Sequence, residues 1–248
     1  MLRALYTSGT AMMVQNKRMN VITNNITNVA TDGYKTDELL SRSFRDMMID
    51  RINDPYVQVS AVGPHNTGIH IDIINTDFTQ GSLSDSERPT DVAIVGDGFF
   101  VIQTPDGERY SRAGAFARDT DGMLLTPDGY FVMGENGPLN VGTGEFTIDA
   151  TGNVYREDTL VDRIRIVGFE DNAVLRKTGN NLYVPFDDTQ PVNIDANVRQ
   201  YMLEGSNVDA AAETVRMIET ARAFETNQRM VKMLDESLGK AVNDIARF

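Results

Sequence analysis

Apolar residues recur every seven positions at the start of this chain: Leu5, Met12, Met19 and Ile26. Ile22 and Val29 fill the neighbouring stripe. That spacing places one apolar seam along one side of a helix, as in a coiled coil, and predicts an amphipathic helix starting near Leu2. The opposite face is neutral and amide-rich, with Asn16, Asn20, Asn24 and Asn28 four residues apart. Asn is a mediocre helix former, so propensity does not explain this choice. A face of amides suits contact with protein partners through hydrogen bonds. Thr31-Asp32-Gly33 then stops the helix, with Gly33 fitted to the left-handed position after its end.

A second helix is predicted at the other end. Ser206 and Asp209 have capping-box spacing. The stripe that follows reads Met217, Ala221, Phe224, Gln228, Val231, Leu234, Leu238, Ala241, Ile245, Phe248. Its steps are threes and fours, and only Gln228 is polar. Glu225 with Arg229, and Glu236 with Lys240, are spaced for pairs on the exposed side.

Between the helices the period changes. Phe44, Met47, Met48 and Ile52 form at most a short helical stripe, which Pro55, Gly63 and Pro64 break. Ile69, Ile71 and Ile73 alternate with His70 and Asp72 and read as a strand. From Asp91 onward the pattern is β, beginning with short runs at 92–95 and 99–103. Thr-Pro-Asp-Gly turns stand at 104–107 and 126–129, and Asp119-Thr120-Asp121-Gly122 makes a third. Further strands are expected at 113–118, 123–126, 130–133, 145–148, 153–156, 163–169 and 182–186.

The fold class that follows is α+β and mainly β. A hairpin-rich β barrel or sandwich is flanked by N- and C-terminal α-helices that pair as a discontinuous helical domain. The expected boundaries are 1–36 with 205–248 for the helices, 37–75 for a connector, and 76–204 for the β domain.

Composition narrows the function classes. The formal net charge is −13. Residues 1–36 carry +3 and residues 205–248 carry −1, which leaves −15 for the middle. An acidic middle argues against nucleic acid as a partner. No cysteine is present, which excludes disulfides and thiol chemistry. The expectation is no transmembrane helix and no cleaved secretory signal. His65 and His70 lack the further ligands of a metal site. Asp119, Asp121 and Gly122 lack the closing glutamate of a calcium loop, and turn chemistry accounts for them. No serine sits in a Gly-x-Ser-x-Gly elbow, and Gly96-Asp97-Gly98 lacks the third glycine of a dinucleotide loop.

An apolar helix face is usually core. Here both stripes are terminal and long, and one is backed by amides rather than Lys and Glu. Those features favour an interface between chains.

Three stretches carry a family resemblance. Residues 20–35 resemble the N-terminal signature of the bacterial flagellar axial proteins, the rod and hook family. Leu203-Glu204-Gly205-Ser206-Asn207-Val208-Asp209, continuing through 217–227, resembles its C-terminal signature. Gly96-Asp97-Gly98-Phe99-Phe100 and Tyr110-Ser111-Arg112-Ala113-Gly114 resemble the internal part. The resemblance implies a non-enzymatic structural subunit of the flagellar rod, of proximal or distal type. It implies export without a cleaved signal through the flagellar type III pathway, and location in the basal body. Implied partners are other copies, other rod and hook proteins, and the export apparatus. No nucleic acid, substrate, metal or cofactor is implied. The implied assembly interface comprises Leu5, Met12, Met19, Ile22, Asn24, Asn25, Ile26, Asn28 and Val29 on the first helix. On the second it comprises Phe224, Gln228, Val231, Leu234, Leu238, Ala241 and Ile245. The alternative from another class is a secreted carbohydrate-active enzyme or adhesin built on the β domain. The absence of tryptophan weighs against it.

Overall fold

The structure, a computed structural model, describes residues 2–51, 60–186 and 189–245. The chain divides into two compact units. Unit 1 holds residues 1–26, 37–75 and 210–248, and unit 2 holds 27–36 and 76–209.

Unit 1 contains helices α1 (Leu2–Thr27) and α2 (Ala210–Ile245). The residues expected as a connector are built into it as strands. Asp37–Ser43 pairs with Ile69–Thr76, and Met47–Arg51 pairs antiparallel with Ser60–His65. The short helical stripe expected at Phe44, Met47 and Met48 is therefore corrected to strand at Met47 and Met48. Hairpin pairing, Met48 opposite Pro64, overrides a weak helical period. Ile52 and Pro55 lie outside the described residues.

The core of unit 1 shows which way α1 faces. Val14 and Val21 are buried with Leu39, and Ile69 and Ile74 pack against them. Val14 and Val21 are themselves seven apart, on a stripe beside the Leu5–Met12–Met19–Ile26 seam. The seam is only half-buried. α1 thus turns one stripe fully onto strands and leaves the heptad stripe at the edge of cover. On α2 the expected stripe is also half-buried, at Met217, Ala221, Phe224, Val231, Leu234, Leu238 and Ala241, with Gln228 exposed. Ile245 ends the helix, and Phe248 lies outside the described residues. α2 begins at Ala210, later than the capping-box spacing implies. Ser206 instead accepts from the Val208 N–H at 3.2 Å, so the turn before the helix consumes that hydroxyl.

Unit 2 is organised on strand Phe99–Thr104, whose first four residues are all buried. Alternate side chains enter two cores. Phe100 and Ile102 join one with Phe116, Leu124, Val132 and Leu139, while Phe99 and Val101 join the other with Tyr110, Val167 and Tyr183. Full burial contributes about 1.5–3 kcal/mol for each such side chain. Gly107–Ser111 pairs along one edge of this strand. Ile166–Gly168 and Phe131–Gly134 share the other. The Thr-Pro-Asp-Gly turns fall where expected, at the two hairpins Phe99–Ser111 and Leu124–Gly134.

Of the expected barrel or sandwich, a closed barrel does not form among the described residues. Among the described residues the largest sheet runs openly from Leu175–Gly179 to Ala117–Arg118, with branches. Several of its strands are two to four residues long, too short to carry the sheet round into closure. A separate antiparallel sheet of Phe146–Ile148, Asn153–Arg156 and Thr159–Arg163 sends Phe146, Ile148 and Val154 into the first core. Two more pairs finish the unit: Asn197–Gln200 on Val92–Val95, and Met202–Glu204 on Leu83–Asp85.

Candidate functional site

Parts of the three signature stretches, residues 27–35, 96–100 with 110–114, and 203–209, meet inside unit 2. α1 ends at Thr27, so Thr31-Asp32-Gly33 does not stop it as expected; Gly33 does adopt the left-handed φ of +67, six residues past the helix end. Its N–H donates to the Glu204 carbonyl at 2.6 Å. A Cβ at Gly33 would meet the Ala113 nitrogen at 2.4 Å, and one at Gly114 would meet the Val92 carbonyl oxygen at 1.6 Å. Both glycines are there for backbone approach. Gly33→Ala combines positive φ with this clash and is expected to destabilise unit 2 by about 1–3 kcal/mol or more. A thermal melt beside wild type checks it, and an unchanged midpoint would refute the packing described.

Two residues beyond Gly33, Lys35 is fully buried at 0% exposure, with Glu204 at 1% and Arg112 at 4%. The Lys35 ammonium donates to Glu204 Oε1 at 2.5 Å and to the Thr79 carbonyl at 2.7 Å. The Arg112 guanidinium donates to the carbonyls of Gly98 at 2.6 Å and Gly96 at 2.7 Å. Its Nε lies 3.1 Å from Glu204 Oε2, close enough for charge attraction but without hydrogen-bond alignment. Burial pushes the Lys35 pKa down, against the opposing hydrogen bond and charge of Glu204. Burial likewise lowers that of Arg112. The carboxylate and backbone oxygens replace the water that both groups have lost and so oppose that shift.

Neighbouring bonds repeat the junction. Thr36 donates from its N–H and its hydroxyl to Asn207 Oδ1, at 2.8 and 2.7 Å. The Asn207 amide group donates to the Asp77 carbonyl at 2.8 Å. The signature residues are thus structural ties. Their spacing in the sequence carries no chemical motif because the partners are far apart along the chain.

The candidate assembly residues lie in unit 1, except Asn28 and Val29, which belong to the 27–36 segment of unit 2. Leu5, Met12, Met19 and Ile26 are half-buried, as are Phe224, Val231, Leu234, Leu238 and Ala241. Asn24, Val29 and Gln228 are exposed, and Asn28 is half-buried. Ile22 and Asn25 are corrected as interface residues: both are buried within the chain's own unit, at 4% and 1% exposure. Asn25 points away from the amide face. It clamps Asp37, donating to its carbonyl at 2.9 Å and accepting from its N–H at 3.1 Å. The helical period puts residue 25 beside 21 and 22, not beside 24.

Periodicity also missed side chains. Tyr6 and Met13 on α1, and Val215, Ile218, Met230 and Met233 on α2, are exposed apolar residues outside the expected seams. Single apolar residues among polar neighbours give too weak a stripe to be read from sequence. An open groove of about 420 Å³ in unit 1 is lined by residues of α1, strand Asp37–Ser43 and α2. Glu213 on its wall is held by Arg216 at 2.7 Å. Among the described residues, no group of three or more His, Asp or Glu could hold a metal ion. Nor is any described helix long and apolar enough to cross a membrane.

One unit whose two long terminal helices present apolar surface, and a second, β unit tied internally by buried motifs, make the kind of chain that serves as a structural protein. Known proteins identify the kind. Residues 5–35 match the family described as flagella basal body rod protein. Residues 93–156 match the flagellar hook protein FlgE/F/G D1 domain, and residues 199–244 the flagellar basal body rod FlgEFG protein C-terminal family. The flagellar basal-body rod protein FlgG of Agrobacterium fabrum is 34% identical, over 95% of this chain and 96% of that protein. The flagellar hook-basal body complex protein FlhO of Bacillus subtilis is 30% identical over the full length of both. FlgF of Caulobacter vibrioides is 30% identical over 99% of this chain and 98% of that protein. The chain belongs to the flagellar basal-body rod proteins, a family of structural subunits and not of enzymes.

Proposed function

We propose that this rod subunit polymerises through unit 1, with the terminal helices of neighbouring copies packing side by side. The observation that carries this reading is apolar surface left open on both helices, at Tyr6 and Met13 and at Val215, Ile218, Met230 and Met233. Apolar side chains that a helix leaves open beside a half-buried stripe are covered when another helix packs there. The half-buried seams, Leu5 to Ile26 and Phe224 to Ala241, gain cover from the same packing. Contacts between unlike faces of identical subunits build a helical array when their rotation does not close a ring. Partners on this reading are further copies and the rod and hook proteins above and below. The finer assembly is an axial tube that passes torque to the hook.

The chain then reaches the basal body through the flagellar type III pathway without cleavage. Mass spectrometry of purified basal bodies is expected to find the N-terminal peptide intact, allowing for loss of Met1. Recovery of the chain only from the cytosol of flagellated cells would refute the reading.

A further inference from the structure

The buried cluster of unit 2 sets two cations against one carboxylate. Lys35 belongs to the segment that enters the unit at residues 27–36. Glu204 belongs to the segment that leaves it toward residue 209. Arg112 stands between them in the middle of the sequence. Arg112 acts unfavourably on Lys35, and both are favoured by Glu204. Of the other charged groups, Asp77 acts favourably on Lys35 and Asp97 on Arg112. Glu204 Oε1 also accepts from the Gly81 N–H at 3.0 Å. Glu204, which favours both cations, therefore arrives from the far end of the chain.

We infer that Glu204 is a latch between the two crossover segments, so that residues 31–36 and 204–209 stay seated on the β unit only together. Lifting the second segment removes the carboxylate and leaves two desolvated cations facing each other. Lys35 must then move to water, and it carries its own segment with it. The backbone contributes in the same sense, through Gly33 to Glu204 and Asn207 to Tyr34, at 2.6 and 3.4 Å. Either terminal segment, once pulled free, thus releases the other. This inference concerns unit 2 alone and does not depend on how unit 1 assembles.

Hydrogen exchange on the full-length chain tests it. The Asp77 N–H reports the first segment, because it donates to the Thr36 carbonyl at 2.8 Å. The Gly205 N–H reports the second, donating to the Ser82 carbonyl at 2.8 Å. Glu204→Gln is expected to lower protection at both amides, by roughly a hundredfold or more, the change that follows loss of one partner of a buried ion pair. The charge-free variant Lys35→Met/Arg112→Met/Glu204→Leu is expected to restore protection at both, although it also lacks the glutamate. Loss at Gly205 with Asp77 unchanged would overturn the coupling. A charge-free variant no better protected than Glu204→Gln would overturn the role of charge. If Glu204→Gln strips protection from the whole unit, recovery in the charge-free variant supports the latch and failure to recover refutes it.

Discussion

Leu234→Lys protein is expected to fold its β unit normally and to be unable to support motility. Leu234 lies four residues before Leu238 on the half-buried stripe of α2, so both project from one face. An ammonium there must be desolvated when a neighbouring copy packs against it, at a cost of several kcal/mol without a partner. A repeating array multiplies that cost, because every subunit meets it at every contact of this kind. Unit 2 makes no use of α2 in either of its cores. Its melting transition should therefore coincide with that of wild type. The measurement is a melting curve beside a motility assay at matched expression. Normal swimming would remove this stripe from the assembly mechanism.

Phe99→Lys is expected to do the reverse and unfold the β unit itself. Phe99 is 2% exposed, and its ring meets Phe78, Phe169 and Tyr183 at centroid distances of 5.4, 6.0 and 5.9 Å. Truncating such an aromatic costs about 3–5 kcal/mol, against a total stability of about 5–15. Lysine adds a second penalty, because the Arg112 guanidinium already stands 5.9 Å from the ring centre and repels a new cation. Loss of the cooperative β transition in circular dichroism or calorimetry is the expected result. A variant that melts within a few degrees of wild type would contradict the two-core description.

The helices were legible because a 3.6-residue period persists over 26 residues in α1 and 36 in α2, long enough to outvote local noise. The Thr-Pro-Asp-Gly turns were legible because proline and glycine fix backbone angles locally. Strands Asp37–Ser43, Leu175–Gly179 and Asn197–Gln200 were not. Their sequences, DELLSRS, LRKTG and NVRQ, are rich in charged and amide residues, and neighbouring strands decide their conformation. The central strand was legible as the short run at 99–103. That its two faces enter two separate cores, Phe99 and Val101 in one and Phe100 and Ile102 in the other, follows only when both sides are covered. The Lys35–Arg112–Glu204 cluster was hidden for a different reason. Sequence marked all three as parts of signatures, but nothing local says that charged residues so far apart are buried together. Asn25 was misassigned because its neighbours Asn24 and Asn28 set the apparent theme, while one helical step turns it onto the strand.

The central claim, that the terminal helices form the contacts between copies, is open to a direct measurement. The chain has no cysteine, so single cysteines can be placed without background. Met13→Cys and Met233→Cys put thiols on side chains that are 73% and 58% exposed on α1 and α2. Leu160→Cys, at a position 56% exposed in the β unit, is the control. Purified basal bodies carrying Met13→Cys and Met233→Cys together are treated with a short bifunctional thiol reagent and resolved on denaturing gels. The expected result is a ladder of cross-linked multimers that the dilute, unassembled protein does not give. Multimers from Leu160→Cys, with none from the helical positions in assembled rods, would contradict the account.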